Sequence, residues 1–533
     1  MRHLKRWAAA ASATTLSLLT ITMAQPIPAN AAGPNLLANP GFESGLTGWT
    51  NIGTSGAAFT QTTNPRSGST NLAHHANASW SVNTVQTLTG LTAGTYTLTA
   101  WIKNWGVSSA GLQAYGCGDT SQSIDLPVSS SWVQVSLAVS VRSASCTVGI
   151  WSNSNTSSVV ADDFSFTRIT PGSGGNLPVG GDVTYRRMTA AMGGTWANSS
   201  GKQQDVLDIL AAKGFNLARI RIYNQPGNPV NVDGTDYKLQ PGWQDLNDAV
   251  QNAKDAKARG MKTFISLHYS DFWTNPGLQK RPAAWVGYNQ SQLESATYSF
   301  TANVLNTLIR NGVTPDFVSI GNEINDVVMD VSRISSPANY YGLLKKASDA
   351  VRAASPKSKI VIHLTTPDKT LYTNWINGAV THGLSYDLMG ISLYPFWTNM
   401  SIASLANFAT WAAAASGKQV LVCEVGYPWT LSAQGAGEQT LIQGNGLDAD
   451  GPENYGASTS GQLRYMQEYI RAMYNTGRVA GISYWDPILI DFGTGADPNG
   501  WVVGGDVAVE DTTFFDYNTP HRALSSLSAF NTW

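Results

Sequence analysis

The sequence predicts a closed (β/α)8 barrel preceded by a β-sandwich. Three observations support this prediction. From residue 178 to residue 533, short apolar runs alternate with segments of helical periodicity. Over residues 32–170, short runs of alternating apolar and polar residues are separated by Gly, Ser and Asn, which is typical of an all-β sandwich. Residues 171–177 are rich in Gly and Ser and indicate a flexible linker between the two domains.

Residues 1–31 have the pattern of a secretory signal peptide. A basic start (Arg2, His3, Lys5 and Arg6) precedes an apolar stretch at 7–24, and Ala29-Asn30-Ala31 forms a small-x-small cleavage site. The alternative is a membrane anchor, but Ser and Thr make this stretch too weakly apolar to favour a span. We therefore expect a secreted, extracellular protein with no membrane association after cleavage.

The composition limits the kinds of molecule that the protein is expected to bind. The chain has 533 residues, a formal net charge of −2 and only 13% charged residues. No basic run follows residue 6, so nucleic acid is not an expected partner. The 18 Trp and 20 Tyr residues fit a protein that stacks on the apolar faces of sugar rings, although they also fit a large core. We expect a monomer.

The first domain opens with the motif NPGFE at 39–43 and closes with a strand containing Asp162-Asp163-Phe164. These motifs resemble those of carbohydrate-binding modules with a jelly-roll, galactose-binding-like sandwich. Cys117 and Cys146 are expected to form a disulfide, since export permits one. Five aromatic residues are candidate sugar platforms, with the core as the alternative for each: Trp80, Trp101, Trp105, Tyr115 and Trp151.

The second domain divides into eight β/α units. Predicted strands cover 179–184, 216–223, 262–268, 316–321, 359–364, 387–393, 419–423 and 480–485. Predicted helices cover 203–213, 243–259, 290–311, 337–355, 369–382, 402–416, 460–474 and 519–530. A doubly wound open sheet is the alternative, but no Gly-rich phosphate loop follows the first strand. Eight units therefore favour a closed parallel barrel.

Two of these strands end in a glutamate. Glu323 follows the strand at 316–321, and Glu424 follows the strand at 419–423. The carboxyl ends of barrel strands carry the active site, so both carboxylates are expected at one mouth. A pair of carboxylates is the equipment of glycoside hydrolysis. The alternative for each Glu alone is a solvated loop residue, but their matching contexts argue against it.

Other polar and aromatic residues cluster at the same strand ends. Seven consecutive strands finish in this way, which packing alone does not explain. The resulting candidates for substrate binding are Arg221, His268, Asp271, Trp273, Asn322, His363, Tyr394, Trp397 and Trp485.

Several of these residues belong to motifs that occur in a characteristic order. They are HYSDFW at 268–273, KRPAAW at 280–285, GNE at 321–323, YPFW at 394–397 and YW-x-P at 484–487. In this respect residues 178–520 resemble the endo-β-1,4-galactanases of glycoside hydrolase family 53. There are departures: Tyr223 replaces a commoner Trp, and Glu424 lies in a CEVGYP context instead of the usual E-T-x-Y.

The resemblance, together with the chemistry of the residues, implies roles. Glu323 is expected to be the acid/base and Glu424 the nucleophile of a retaining hydrolase. Asn322 is expected to bond the sugar 2-hydroxyl, and Tyr394 to orient Glu424. We expect Arg221 to keep Glu424 ionised, because a nearby cation lowers a carboxylate's pKa. Trp485 is the expected floor of the sugar site. The implied substrate is plant cell-wall galactan or arabinogalactan, hydrolysed without a cofactor.

A possible structural Ca²⁺ site lies in the 425–459 connection. Asp448, Asp450 and Asn454 place oxygen ligands at the DxDxxxN spacing found in bacterial members of the family. The alternative is an Asp- and Asn-rich turn.

Cys423 precedes Glu424 directly. A catalytic thiol is one interpretation, but strand alternation predicts that its side chain faces away from that of Glu424 and packs as a small apolar residue.

Two competing functions remain for the whole chain. One is another retaining hydrolase of the same clan, such as a mannanase or an arabinanase. The other is a non-catalytic polysaccharide-binding protein, which the presence of both glutamates argues against.

Overall fold

The structure is a computed structural model that describes residues 34–118, 121–154, 157–168, 177–232, 234–432, 455–490 and 510–531. The predicted signal peptide lies outside these residues, as does nearly all of the predicted linker. None of the helices within these ranges has the length and apolarity of a membrane span.

The first domain is a sandwich of two antiparallel five-stranded sheets. Its strands are β1 (Thr50–Gly53), β2 (Ala58–Gln61), β3 (Asn71–His74), β4 (Trp80–Thr89), β5 (Gly94–Asn104), β6 (Ser109–Tyr115), β7 (Gln122–Asp125), β8 (Ser129–Val141), β9 (Ser145–Ser154) and β10 (Val159–Arg168). One sheet has the order β1-β4-β9-β6-β7, and the other has the order β2-β3-β10-β5-β8. The predicted β-sandwich is therefore confirmed.

Alternation of side chains builds the sandwich core. Buried aromatic residues from both ends of the domain meet there: the Phe42 ring lies 5.0 Å from Trp49 and 5.8 Å from Phe164. Cys117 and Cys146 form the predicted disulfide.

The second domain contains eight barrel strands and the segments between them. In chain order these are β11 (Val179–Asp182), α1 (Arg186–Ala191), α2 (Val206–Ala212), β12 (Leu217–Ile222), β13 (Val230–Val232), β14 (Thr235–Tyr237), α3 (Leu246–Ala258), β15 (Lys262–Leu267), α4 (Gln290–Arg310), β16 (Phe317–Ile320), β17 (Val327–Val328), β18 (Val331–Ser332), α5 (Pro337–Ala354), β19 (Lys359–Thr365), α6 (Lys369–Thr381), β20 (Leu388–Ser392), α7 (Pro395–Thr398), α8 (Ile402–Ser416), β21 (Gln419–Glu424), α9 (Thr459–Asn475) and β22 (Val479–Tyr484).

The parallel strands close into a barrel of order β11-β12-β15-β16-β19-β20-β21-β22. Closure is made by β22, which pairs in parallel with β11. The closed barrel is therefore confirmed over the open doubly wound sheet. Two short antiparallel hairpins, β13-β14 and β17-β18, lie in its loops and were not predicted.

Helix starts follow from local capping. The side chains of Asp205, Asp245, Asn289, Asp368 and Ser401 each accept a hydrogen bond from a backbone N–H of the helix that they precede. Such caps satisfy donors that the first helical turn leaves unpaired. This local chemistry explains why most predicted boundaries agree with the structure to within three residues.

The predicted helix at 519–530 is wrong over its first half. Only Ser525–Phe530 is helical, as a 3-10 helix. The preceding backbone is engaged elsewhere, because the Ala523 N–H donates to the Ala197 carbonyl and the Ala197 N–H donates to the His521 carbonyl. These bonds divert the groups that a helix would need.

The part of the barrel interior nearest the amino-terminal ends of the strands is apolar. Seven inward residues form its plug: Leu217, Phe264, Phe317, Val361, Leu388, Leu421 and Cys423. A side chain at Gly390 would lie 2.6 Å from the Cys423 sulfur, so this glycine leaves room for the thiol. Burial raises the pKa of Cys423 well above its ordinary value, which keeps it a neutral thiol. The interpretation as apolar packing therefore fits its surroundings, and Arg219, Ser392 and the two glutamates lie above this plug.

The sandwich packs on the barrel through one of its sheets. The side chain of Asn407 on α8 accepts a hydrogen bond from the Ala138 N–H of β8 at 2.9 Å and donates to the Ala138 carbonyl at 3.4 Å. Ala138 itself belongs to the apolar core of the barrel domain. This contact covers part of the sheet that contains β8 and leaves the opposite sheet, β1-β4-β9-β6-β7, facing away from the barrel.

Candidate active site

Glu323 lies on a tight turn directly after β16. Gly321 has a φ of 109°, and a side chain there would lie 2.6 Å from Ile324. Glu323 itself adopts a φ of 49°, which is uncommon for a residue with a side chain and is tolerated where the surroundings impose it. The Gln279 amide imposes part of it, since it donates to the Asn322 carbonyl at 2.8 Å. The turn aims the Glu323 carboxyl into the barrel mouth.

Glu424 ends β21 at a β-bulge. The register with β20 steps from Ile391 opposite Val422 to Ser392 opposite Glu424. The extra residue places Cys423 inside the barrel together with Leu421, while Glu424 also reaches the interior. The expectation that these two side chains face opposite ways is therefore wrong, because a bulge interrupts the alternation of the strand.

Two groups hold the Glu424 carboxylate. Arg219 Nη1 lies 2.6 Å from its Oε1, and the Tyr394 hydroxyl donates to its Oε2 at 2.8 Å. The contact with Tyr394 agrees with the expected orienting role. Both oxygens are thus engaged, one by a donor on β12 across the barrel and the other by a donor just after β20, which confines the carboxylate to one position.

Arg219, not Arg221, is the cation beside Glu424. The side chain of Arg219 is fully buried, and its Nη2 also donates to Asn322 Oδ1 at 2.7 Å. The Asn322 amide then donates to the Thr274 carbonyl at 2.7 Å. One guanidinium therefore fixes both Glu424 and the residue next to Glu323. Burial alone would lower the pKa of Arg219, but the carboxylates of Glu424 and Asp182 hold it above its ordinary value.

Arg221 has different partners, so its predicted contact with Glu424 is wrong. Its Nε lies 3.1 Å from Asp182 Oδ2, and its Nη2 lies 2.5 Å from Asp486 Oδ1. All three groups are buried. Burial raises the pKa of Asp486 to about 7 even though Arg221 opposes the rise. Arg219 and Arg221 share one face of β12 because they are two residues apart, but they lie at different depths in the barrel.

The environment of Glu323 favours its protonated form. Burial and then the negative charge of Glu424 raise its pKa to about 8. The Ser392 hydroxyl donates to Oε1 at 2.7 Å and opposes this rise. Glu424 is instead paired with Arg219. Two carboxyl groups in one mouth therefore differ in charge, which is how one site provides both an acid and an anion.

The two predicted histidines lie beneath the surface of the site. His268 Nδ1 is 2.9 Å from the Thr274 hydroxyl, and His363 Nε2 is 2.8 Å from the Ser392 hydroxyl. Burial and then the charge of Arg219 lower the pKa of each ring well below its ordinary value, so both are neutral. With 3% and 0% of their surfaces exposed, they contact other site residues more than solvent.

The Asp271 carboxylate holds loop residues together by accepting their hydrogen bonds. Its carboxylate accepts from the Gln225 N–H at 3.0 Å, the Asn228 amide at 2.8 Å and the Ala283 N–H at 2.9 Å. These bonds tie the loop after β12 to the loop after β15 at the mouth. The structure therefore gives its carboxylate protein partners, where substrate binding was expected.

Aromatic rings form a wall beside Glu424. Tyr394 lies 4.5 Å from Trp397 and 5.9 Å from Trp485, measured between ring centroids. Trp397 is 54% exposed, so it presents an open apolar face. Trp273 packs against a separate cluster that includes Tyr185 and Met188, and it stacks on Phe272 at 5.7 Å. The wall therefore offers sugar rings a surface next to the carboxylates.

Comparisons with known proteins agree with this geometry. The model of Glycosyl hydrolase family 53 matches residues 178–530. The chain belongs to this family. It is therefore a glycoside hydrolase.

Individual proteins are also similar to this chain. An arabinogalactan endo-beta-1,4-galactanase from Cellvibrio japonicus is 30% identical over 369 residues, which is 66% of this chain and 90% of that protein. An endo-beta-1,4-galactanase from Bacillus subtilis is 29% identical over 331 residues, covering 62% of this chain and 74% of that protein. The solved Ignisphaera aggregans GH53 catalytic domain has 32% identity and a TM-score of 0.60, covering 67% of this chain and 96% of that one.

The structure of the sandwich shows where each of the five candidate aromatic platforms for sugar lies. Trp80 is buried at 3% exposure, and the Arg66 guanidinium lies 4.2 Å from the Trp101 ring centroid, so neither ring is open. Trp105 is 47% exposed. Trp151 lies across Gly111 of the neighbouring strand, where a Cβ would be 2.5 Å from its Nε1. Alternation places Tyr115 on the same face of the sheet.

The predicted Ca²⁺ ligands Asp448, Asp450 and Asn454 lie outside the described residues. Within the described ranges, no group of three or more His, Cys, Asp or Glu residues is arranged to hold a metal ion.

Four residues of the site were missed by the sequence analysis: Arg219, Gln279, Ser392 and Thr274. Arg219 and Ser392 each precede a predicted site residue by two positions, and residues at that spacing share a strand face. This signal was available. Gln279 and Thr274 carry no comparable signal, because their contacts depend on how the loop after β15 folds back over the mouth.

Proposed function

We propose that this chain is a secreted, retaining endo-β-1,4-galactanase that hydrolyses galactan or arabinogalactan of plant cell walls. The observation that carries the proposal is the difference between the two glutamates: Glu424 is paired with Arg219, whereas burial and the charge of Glu424 raise the pKa of Glu323 to about 8. The names of the family relatives support the choice of galactan.

The first half of the reaction forms a glycosyl-enzyme. Glu424 attacks the anomeric carbon while Glu323 gives its proton to the departing glycosidic oxygen. Arg219 and Tyr394 hold Glu424 so that an oxygen is presented to the sugar. In this proposal the Asn322 amide, whose Oδ1 accepts from Arg219, bonds the 2-hydroxyl. The sugar ring stacks against Trp397 and Trp485.

The second half releases the product. Once Glu424 is esterified it is neutral, so the charge that raised the pKa of Glu323 is gone and Glu323 stays the carboxylate that its proton transfer left. It then takes a proton from water as the water oxygen attacks the anomeric carbon and the bond to Glu424 breaks. Two successive inversions retain the configuration of the anomeric carbon.

The test of this function is product analysis. Purified protein should shorten potato galactan and release galacto-oligosaccharides, with little action on mannan or arabinan. The anomeric configuration of the first product, read by NMR before mutarotation, should be β. Preferential cleavage of mannan or arabinan would assign another hydrolase of the clan, and binding without turnover would favour a non-catalytic protein.

The sandwich is proposed to bind the same polymer. Its sheet β1-β4-β9-β6-β7 faces away from the barrel, and Trp151 and Tyr115 lie on its outer face. The two positions are separated by four residues along the strand direction, or about 13 Å, which spans several sugar units. A bound chain would raise the effective concentration of polymer near the barrel.

A structural Ca²⁺ held by Asp448, Asp450 and Asn454 remains a proposal from the sequence. A ligand that binds only the folded state stabilises it, so chelation should lower the melting temperature. Unchanged melting, with no metal by elemental analysis, would favour a simple turn. We propose a monomer, which light scattering tests.

A further inference from the structure

A buried chain of hydrogen bonds reaches Glu323 from behind. His363 Nε2 lies 2.8 Å from the Ser392 hydroxyl, and that hydroxyl lies 2.7 Å from Glu323 Oε1. His363 is on β19 and Ser392 on the neighbouring β20, and their side chains are 0% and 1% exposed. No catalytic role beyond substrate binding was expected of His363, and none was expected of Ser392.

The protonation of His363 decides which group donates and which accepts in each of these hydrogen bonds. Its Nδ1 has no hydrogen-bond partner in the described parts of the chain. A proton on that nitrogen would be a buried donor without an acceptor, which is costly, so the proton belongs on Nε2. Nε2 then donates to the Ser392 oxygen, and the single hydroxyl proton of Ser392 is left to donate to Glu323 Oε1.

We propose that Ser392, oriented by His363, is a positioning residue that directs the acid/base cycle of Glu323. Because Oε1 accepts from Ser392, the exchangeable proton is placed on Oε2, since the hydroxyl oxygen of a carboxylic acid is the poorer acceptor. The same bond stabilises the carboxylate when Glu323 acts as base. This inference rests on the proposed retaining mechanism.

Other groups also influence Glu323 and must stay constant in any test. The negative charge of Glu424 raises its pKa, whereas the Thr365 hydroxyl and the Arg219 guanidinium lower it. Tyr394, Tyr372 and Cys423 also interact with it, and burial keeps all three neutral at pH 7. A substitution at Ser392 leaves each of these groups in place, so a change in titration is attributable to the lost hydroxyl.

The decisive variant is Ser392→Ala, compared with wild type on two substrates. On an aryl β-galactobioside with an acidic leaving group, glycosylation needs no acid, so kcat/KM should stay within about twofold. Release of the glycosyl-enzyme needs the base, so kcat should fall about tenfold. On galactan, the alkaline limb of the kcat/KM profile should move up by about one pH unit, because the ionised form has lost a donor.

Four further variants serve as controls for this result. Ser392→Thr keeps a hydroxyl and should retain the wild-type limb. Ser483→Ala removes a buried hydroxyl that has no hydrogen-bond partner in the described parts of the chain, and it should leave the profile unchanged. His363→Gln keeps an N–H donor toward Ser392, whereas His363→Leu does not, so only the leucine variant should resemble Ser392→Ala. This pair also decides the matter if Ser392→Ala fails to fold.

Two outcomes would overturn the proposal. An equal loss of kcat and kcat/KM with an unmoved alkaline limb would make Ser392 a packing residue. A limb that moves to lower pH would mean that Ser392 accepts from Glu323. Either result leaves the proposed function standing, because that depends on wild-type turnover with retained configuration, which is measured separately.

Discussion

Arg219 Nη1 lies 2.6 Å from Glu424 Oε1, and Nη2 of the same guanidinium lies 2.7 Å from Asn322 Oδ1. A planar fork of donors can hold two acceptors at a fixed separation, which a single ammonium cannot do. One buried side chain thus sets the distance between the proposed nucleophile and the turn that carries Glu323.

Substituting Arg219 by Lys tests this bridge. We expect Arg219→Lys to lower kcat on galactan by about 100-fold or more, because Lys cannot hold both partners and charge stabilisation is lost. Arg352→Lys is the control, since Arg352 pairs with Asp387 on the outside of the barrel. Similar activities of the two variants would rule out the bridging role.

The two glutamates should differ in chemical rescue by azide. Glu424→Ala should abolish turnover, and azide should restore some rate with inverted product, because the anion attacks from the vacated side. Glu323→Ala should still form the glycosyl-enzyme from an activated aryl substrate and then stall, and azide should release it with retained configuration. NMR of the two glycosyl azides decides, and exchanged configurations would reverse the roles.

The titration of Glu323 should depend on Glu424. Because the charge of Glu424 helps to raise the pKa of Glu323 to about 8, activity on galactan should fall as the pH rises through that value. Glu424→Gln removes the charge and should lower the pKa of Glu323, read from its carboxylic C=O stretch by infrared difference spectroscopy. Glu294→Gln, on helix α4, is the control. A Glu323 titration that is the same in all three proteins would contradict the coupling.

Arg221 should matter for stability. Arg221→Met leaves the buried carboxylates of Asp182 and Asp486 without their main cation, so the free energy of unfolding should fall by about 3–5 kcal/mol. Adding Asp486→Asn should recover part of the loss. Arg66→Met removes an ion pair with Asp163 at the surface and should cost under about 1 kcal/mol. Equal losses from both single variants would refute this assignment, and denaturant titration measures each.

The outer face of the first sandwich sheet should bind polymer. In the full-length protein, Trp151→Ala should weaken retention on insoluble galactan on the order of tenfold and spare turnover of short oligosaccharides. Trp132→Ala is the control, because Trp132 lies on the other sheet beneath the Lys103 ammonium. If Trp132→Ala alone weakened retention, the binding face would be on the opposite sheet.

The sequence by itself determined the two domains and most strand and helix positions, because apolar periodicity and capping are local. It also placed Glu323 and Glu424 at strand ends. Tertiary structure alone decided that Arg219, not Arg221, reaches Glu424, since residues two apart share a face and only the stagger of neighbouring strands sets their depth. The bulge at Cys423 and the hydrogen bond from Ser392 to Glu323 likewise depend on pairing between strands, which the order of residues does not encode locally.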